Sequence, residues 1–213
     1  MKKVNQYETP NGVIVPGVTT ITNGLAKEGL YAWYAKLGWK EASNVIKESQ
    51  EFGSRVHALI EARVKGQEPD MSPEEEKIMK NFDIWAKENV KEFVWFERDF
   101  ALDDHVFTFE ENGKEYSMPC YGFGGTADMC YIDNNGSRIL GDVKTGNHWP
   151  EHKIQVAAYE YGLNKAYEEE FDDKMIIALD RKTKIWEGLR ANTIGHMPVF
   201  VSLRIAHKWK RGV

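Results

Sequence analysis

Two aspartates and a lysine lie close together in the segment GTADMCYIDNNGSRILGDVKTG, residues 125–146. Asp128 stands among small and apolar residues, and Asp142 is followed two residues later by Lys144. Carboxylates are poor strand formers and are costly to bury, so their position in a predicted strand hairpin indicates a chemical role. Two carboxylates beside an ammonium group can hold a divalent cation next to an attacking water.

The length of the loop DNNGS, residues 133–137, decides whether these side chains meet. The loop fits a three-residue turn that ends with Gly136 in the left-handed conformation. Counting back along both strands places Asp128 directly opposite Asp142, and Lys144 shares their face. A two-residue Asn-Gly turn would send Asp142 to the opposite face.

Facing carboxylates repel each other, so a cation is the natural occupant of the space between them. Oxygen ligands favour Mg²⁺ or Mn²⁺, and Lys144 could orient or deprotonate a water with its own pKa lowered by the cation. The competing interpretation is that both acids are solvated on an open sheet face, with Lys144 as a salt-bridge partner. Three glycines beside the acids are expected to leave room for a backbone to approach closely: Gly124, Gly125 and Gly141.

Composition limits the classes of protein that fit. The chain has 213 residues, 42% of them hydrophobic, which suits one packed domain. A net charge of −5 disfavours a protein that coats nucleic acid by charge alone, although it allows an enzyme with a local cationic site. A mean hydropathy of −0.54 and the absence of a long apolar run predict no membrane span. The opening MKKVNQYETP has no apolar segment, and Cys120 and Cys130 are predicted to be reduced thiols, so a cytoplasmic location is expected.

The order of the predicted elements indicates an α/β (α+β) fold. Apolar spacing and capping signals predict N-terminal helices packed on a central mixed β-sheet that is flanked by further helices. The predicted helices cover 16–38 (after a short β-rich start), 43–66, a segment capped by Ser72, 150–169 and 196–210. The predicted strands cover 92–102, a hairpin at 105–118, 121–132, 138–144 and 174–180.

Four motifs in this order resemble the PD-(D/E)XK nuclease superfamily, in its RecB/Cas4-like branch. GGTADM resembles the G-x-x-D strand and GDVKTG the D-x-K strand, while QVAAYEY and FGSRVHALIE resemble the Q-x-x-x-Y motif and the upstream G-x-x-x-H-x-x-I-E helix. PGVTTIT and YAWYAKLG resemble the openings of phage and mitochondrial-genome-maintenance-type exonucleases. The resemblance implies a restriction-endonuclease-like core in one nuclease domain over 1–213, with a helical part at about 14–91 and the core at about 92–210.

The resemblance also implies a role for each matching residue. Asp128 and Asp142 would bind the metal, Lys144 would be the catalytic lysine, and the motif residues Gln155 and Tyr159 would support the site or contact DNA. The remaining implied metal ligands are His57, the main-chain carbonyl of Val143, and Glu97 in WFERDF.

Two of these assignments have structural alternatives. His57 could be a half-buried helix residue bonded to Glu61, one helical turn away. Gln155 and Tyr159 could simply pack their helix against the sheet.

By the same resemblance, the chain would be a Mg²⁺- or Mn²⁺-dependent deoxyribonuclease, favoured as an exonuclease on DNA ends or single strands in replication, recombination or repair. Its products would carry 5′-phosphate and 3′-hydroxyl groups. There are two alternatives: a structure-selective endonuclease, and a non-catalytic DNA-binding or assembly protein on a nuclease scaffold. Two cysteines cannot supply the four of the Cas4 type, so no iron–sulfur cluster is expected. No ATP-binding loop is present, so any helicase or recombinase would be a separate partner.

Further candidates lie in the C-terminal half of the chain. The cations Arg181, Lys182 and Lys184 could line a DNA path, with Trp186 and Trp209 available to stack on bases. Solvated loops and a helix C-terminus explain these residues about equally well. His148 and His152 in HWPEH resemble a zinc-protease helix only superficially, because Trp149 and Pro150 replace its pattern.

Overall fold

The computed structural model of the chain describes residues 6–25, 28–146 and 149–212. Within these ranges there are six helices, α1 (Val18–Thr22), α2 (Glu28–Leu37), α3 (Trp39–Val64), α4 (Pro73–Asn89), α5 (Pro150–Tyr167) and α6 (His196–Lys210). The strands are β1 (Gln6–Glu8), β2 (Ile14–Pro16), β3 (Val90–Leu102), β4 (His105–Glu111), β5 (Lys114–Cys120), β6 (Phe123–Asp133), β7 (Arg138–Lys144), β8 (Asp173–Leu179) and β9 (Trp186–Arg190). The predicted α+β class is therefore confirmed.

A five-stranded mixed sheet organises the fold, in the order β3-β6-β7-β8-β9. Only β7 and β8 run parallel, and α5 is the crossover that joins them. The pairs β1–β2 and β4–β5 form two separate two-stranded sheets. The candidate residues on β7 thus lie at the centre of the large sheet.

Helices cover both faces of this sheet. Neighbouring residues of β8 show the division, because Ile176 and Ile177 are buried in different hydrophobic clusters. The cluster of Ile177 contains apolar residues of α3 and α4, including Val56 and Phe82. The cluster of Ile176 contains residues of α1, α5 and α6, including Phe200. Site residues can therefore reach the sheet from either side.

The start of α4 follows the predicted capping pattern. The Ser72 side chain accepts a hydrogen bond from the Glu75 backbone, and the Glu75 carboxylate accepts one from the Ser72 backbone. Pro73 occupies the first helical turn. Arg55 of α3 donates to Glu75 over 2.6 Å, so the same glutamate also ties α4 to α3.

The β6–β7 hairpin has the predicted three-residue loop. The Asp133 amide donates to the Ser137 carbonyl, and Gly136 has a φ of +90°. The paired residues run back to Met129 opposite Gly141, and the same register brings Asp128 opposite Asp142. The predicted three-residue loop and the register that it sets are therefore confirmed.

Other parts of the chain differ from the sequence-based expectations. The predicted helix over 16–38 divides into α1 and α2, and β1 and β9 were not expected. Trp186 is wrongly predicted as a stacking residue, because it is buried in β9 and its indole N–H donates to the Ile78 carbonyl. No helix in the described ranges is both long and apolar enough to cross a bilayer.

Candidate active site

Asp142 and Lys144 form a close ion pair at the end of β7. Asp142 is 1% exposed, and Lys144 Nζ lies 2.7 Å from its Oδ1 and 2.6 Å from its Oδ2. Despite this proximity, no hydrogen bond with acceptable geometry reaches Oδ2. Asp142 Oδ2 is therefore in ionic contact with Lys144 but has no well-directed hydrogen-bond donor.

The electrostatics of the pair follow from its burial. Burial raises the pKa of Asp142 to about 6, against the opposing effect of the Lys144 ammonium and with a further increase from the Asp128 carboxylate. Burial lowers the pKa of Lys144, but Asp142 and Asp128 outweigh this effect and leave it above its ordinary value. Lys144 is therefore an ammonium donor in this structure.

Asp128 and His57 meet next to the β7 backbone. The Val143 amide donates to Asp128 Oδ2 over 2.7 Å, and His57 Nδ1 lies 3.6 Å from Asp128 Oδ1. The other ring nitrogen of His57 lies 3.3 Å from the Val143 carbonyl. Glu61 pairs with Lys65 rather than with His57. The structure thus brings three of the predicted metal ligands together and does not show the alternative His57–Glu61 bond.

Gly53 permits this approach of α3 to β7. A Cβ atom at Gly53 would lie 3.2 Å from Thr145 Oγ1, which is tighter than an ordinary contact. The glycine one helical turn before His57 therefore lets the helix lie directly against the end of the strand.

Glu97 lies on β3 beside the same site. On either side of it, Phe96 pairs with Met129 and Arg98 pairs with Ala127, so Glu97 lies opposite Asp128. Its φ of +51° is rare for a residue with a side chain. Although the residue is exposed as a whole, partial burial of its carboxyl group raises its pKa, as do the nearby Glu61 and Asp128 carboxylates.

Gln155 and Tyr159 approach the acids from α5. Both are buried, and Gln155 Nε2 donates to Tyr159 Oη over 2.7 Å. Burial and then the Asp142 and Asp128 carboxylates raise the pKa of Tyr159 well above its ordinary value. The tyrosine also packs its helix on the sheet, since a Cβ atom at Gly125 would lie 2.8 Å from its ring.

The chain itself fills the space beside the three glycines. Atoms of Tyr159 and Phe100 lie next to Gly125, those of Tyr7 and Phe100 next to Gly124, and those of Ile177 and Met129 next to Gly141. The expected close approach of a backbone is seen at Gly124, where a Cβ atom would lie 2.8 Å from the Phe100 carbonyl oxygen, whereas side chains fill the space at Gly125 and Gly141.

The donor types suit a hard divalent cation, although the side chains are not gathered into a complete site. Within residues 6–25, 28–146 and 149–212, no group of three or more His, Cys, Asp or Glu residues is arranged to hold a metal ion. His57 and Asp128 converge, while the Asp142 carboxylate faces Lys144. Carboxylate and carbonyl oxygens are the preferred ligands of Mg²⁺ and Mn²⁺, and Asp142 Oδ2 lacks a hydrogen bond.

The three predicted substrate-binding cations are in different environments. Arg181 donates to the Thr145 carbonyl and to Ser49, so it joins the end of β7 to α3. Lys182 is exposed, whereas Lys184 pairs with Glu74 of α4. The structure therefore brings only Arg181 directly to the site.

The remaining candidates lie apart from this chemistry or are only partly described. His152 accepts a hydrogen bond from the Trp149 amide, and His148 lies outside the described residues. Cys120 and Cys130 are buried free thiols whose pKa values burial raises to about 11 and about 12. Neither thiol is suited to act as a nucleophile.

A cavity of about 690 Å³ adjoins Lys144 between α2, α3 and the start of α5. Sequence reasoning missed it, because residues distant in the chain form its walls. The available signal was Trp149, a tryptophan five residues after Lys144 at the start of a helix.

Comparisons with known proteins do not assign a function to the chain. No family model and no curated protein matches the chain. Among solved structures, the crystal structure of SSO0001 is similar over 100% of this chain and 79% of that chain, at 15% sequence identity and a TM-score of 0.43. A likeness this distant carries no argument about what the chain does.

Proposed function

We propose that the chain is a Mg²⁺- or Mn²⁺-dependent deoxyribonuclease with a PD-(D/E)XK, RecB/Cas4-like core, acting as an exonuclease on DNA ends or single strands. One observation carries the proposal. A buried Asp142 is paired with Lys144, next to an Asp128 that His57 and the Val143 backbone contact. A purely structural ion pair does not require the additional acid and histidine.

The residues that would hold the cation are Asp128, Asp142, His57 and the Val143 carbonyl, with Glu97 as an acidic neighbour. A cation bound there would neutralise charge that develops on a scissile phosphate. Asp142 would have to share its carboxylate between the cation and Lys144, because Lys144 Nζ already contacts both of its oxygens.

Lys144 is best suited to a role as hydrogen-bond donor. Its pKa lies above the ordinary lysine value in the structure, so it carries a proton that it can direct at a phosphate oxygen or an attacking water. Tyr159 likewise stays protonated and accepts from Gln155, so these two residues hold α5 against the acidic side of the sheet.

The biological setting belongs to the same proposal. We place the enzyme in the cytoplasm, in DNA replication, recombination or repair, with a separate helicase or recombinase as a partner. These assignments depend on the motif resemblance.

The test is cleavage of labelled single- and double-stranded DNA by the whole chain with Mg²⁺, Mn²⁺ or EDTA. We expect metal-dependent cleavage that Asp142→Ala abolishes and Lys144→Met lowers by about 10²–10³-fold. Glu92→Ala, an exposed change on β3, is the control and should retain activity. DNA binding without metal-dependent cleavage would overturn the proposal in favour of a scaffold protein, and cleavage of covalently closed circles would indicate an endonuclease.

A further inference from the structure

The cavity next to Lys144 combines aromatic, aliphatic and basic side chains. Its walls include Trp33 of α2, Val45 and Ile46 of α3, Lys144, and Trp149 and His152 at the start of α5. We call this cavity the aromatic groove. Its volume of about 690 Å³ is within the range of pockets that enclose small organic groups.

The charge of the aromatic groove is opposite to that of the whole chain. The chain has 33 acidic and 28 basic residues. Among the described residues that line the groove, however, Arg181 and Lys144 are cationic and none is acidic, although Asp142 behind the groove shares the charge of Lys144. The groove therefore attracts an anion in a protein that is acidic overall.

Trp149 gives the aromatic groove an exposed stacking surface. The residue is 53% exposed although it is a large apolar side chain. Its backbone is held at the start of α5, where its amide donates to His152 over 3.3 Å. An exposed indole at the N-cap of a helix is suited to stack on a flat ring.

Arg181 adds a positive charge to the cavity that contains the exposed indole. It donates to the Thr145 carbonyl, one residue after Lys144, and its guanidinium lies 4.6 Å from the Phe52 ring centroid. Two cations thus adjoin the same cavity as the exposed indole. One nucleotide unit supplies both complementary groups, a flat base and an anionic phosphate.

We propose that the aromatic groove binds one unstacked nucleobase of a DNA single strand against the Trp149 indole, with a neighbouring phosphate facing Lys144 and Arg181. The inference rests on the proposed nuclease function and adds a base-binding subsite to it. A paired, stacked base within a duplex cannot present its face to the indole, so the subsite selects single-stranded or frayed DNA.

The test measures binding of a fluorescent oligothymidylate that contains one 2-aminopurine, with the full chain in EDTA. We expect Trp149→Ala to weaken binding at least about 5-fold, consistent with the loss of one base–aromatic stack, and to remove the quenching of 2-aminopurine fluorescence. Trp149→Phe should restore most of both signals. The control is Tyr116→Ala, which changes an aromatic residue that is 43% exposed on β5 and outside the groove.

A second pair of variants tests the charge of the aromatic groove. Val45→Glu places an acid in the groove, and Val94→Glu makes the same change at a valine of β3 with nearly equal exposure, 38% against 37%. We expect only Val45→Glu to weaken binding. Unchanged binding and quenching in Trp149→Ala would overturn the groove proposal.

Because EDTA prevents metal-dependent cleavage, these measurements do not depend on nuclease activity. If the chain cleaves DNA but binds it equally well without Trp149, only the groove proposal is contradicted. Trp149-dependent binding without any cleavage in Mg²⁺ or Mn²⁺ would contradict only the nuclease function.

Discussion

Asp142 and Lys144 each stabilise the charge of the other where water has little access. Asp142 is 1% exposed, while the Lys144 side chain is 19% exposed, so the carboxylate depends more on its partner. Removing one member of such a pair costs more than replacing both with apolar groups. The pair is therefore a sensitive probe of the site even before DNA is added.

We expect Lys144→Met to lower the free energy of unfolding by about 1–3 kcal/mol, because the buried carboxylate loses its ammonium partner. The double variant Asp142→Leu, Lys144→Met should be closer to wild type. Chemical denaturation in EDTA measures both. Equal stability of wild type and Lys144→Met would show that the pair contributes nothing to folding.

The sequence predicted which residue types form the site more completely than it predicted their backbone conformation and burial. The loop length correctly predicted that Asp128 and Asp142 are opposed. The position of Glu97 could not be derived, because it depends on a left-handed backbone conformation within a strand. The burial of Trp186 could not be derived either, because it depends on the contact of β9 with α4.

At the scale of elements, Glu75 connects the start of α4 to α3. A hydrogen bond from Arg55, followed by one from the Ser72 amide, lowers its pKa to about 2 from an ordinary 4.5. Because the folded-state pKa is depressed, the stabilisation is complete above about pH 4.5 and disappears as the pH falls towards 2. The cap thus adds a stabilising contribution that depends on pH.

We expect Glu75→Gln to lower stability by about 1 kcal/mol at pH 6 and to have a much smaller effect near pH 2, where the carboxyl group is becoming protonated. Thermal unfolding across this pH range measures the difference from wild type. Glu76→Gln changes an exposed glutamate in the same turn and serves as the control. A difference that persists unchanged at pH 2 would contradict the assigned role of the carboxylate.

The position of α5 depends on the missing side chain at Gly162. A Cβ atom there would lie 2.0 Å from Phe100 Cε2. Since Phe100 is buried beneath Tyr159, an alanine would displace the helix that carries Gln155 and Tyr159. This contact links the packing of an element to the geometry of the site.

We expect Gly162→Ala to cost about 1–3 kcal/mol of stability by overpacking and to lower any cleavage activity. Adding Phe100→Leu should recover part of the stability, so the two changes should be non-additive in a double-mutant cycle. Full additivity in denaturant titrations would show that the two residues do not compete for space.

Strand and helix bounds were easiest to predict where the sequence itself contains a stop signal. The bounds of β7 and α6 match their predicted ranges, whereas the helix predicted at 16–38 divides into α1 and α2. The short strands β1 and β9 have no comparable sequence pattern, because pairing with β2 and β8 determines them.

For the molecule as a whole, net negative charge and a local basic groove imply few contacts with DNA phosphates. Each single-strand phosphate contact contributes about −0.7 to the slope of log affinity against log salt concentration. With Lys144 and Arg181 as the cations of the aromatic groove, we expect a slope no steeper than about −1.5. Salt titrations of oligothymidylate binding measure it, and a slope near −5 would instead indicate a broad basic surface.

The central claim is that Asp128 and Asp142 hold a divalent cation. Its most direct test is a calorimetric titration of the metal-free chain with Mn²⁺. The wild-type protein should bind Mn²⁺, and Asp128→Asn and Asp142→Asn should each weaken that binding at least about 10-fold, while Glu92→Gln should leave it unchanged. Mn²⁺ binding that is absent from the wild type, or equal in all four proteins, would contradict the claim that Asp128 and Asp142 together hold a divalent cation.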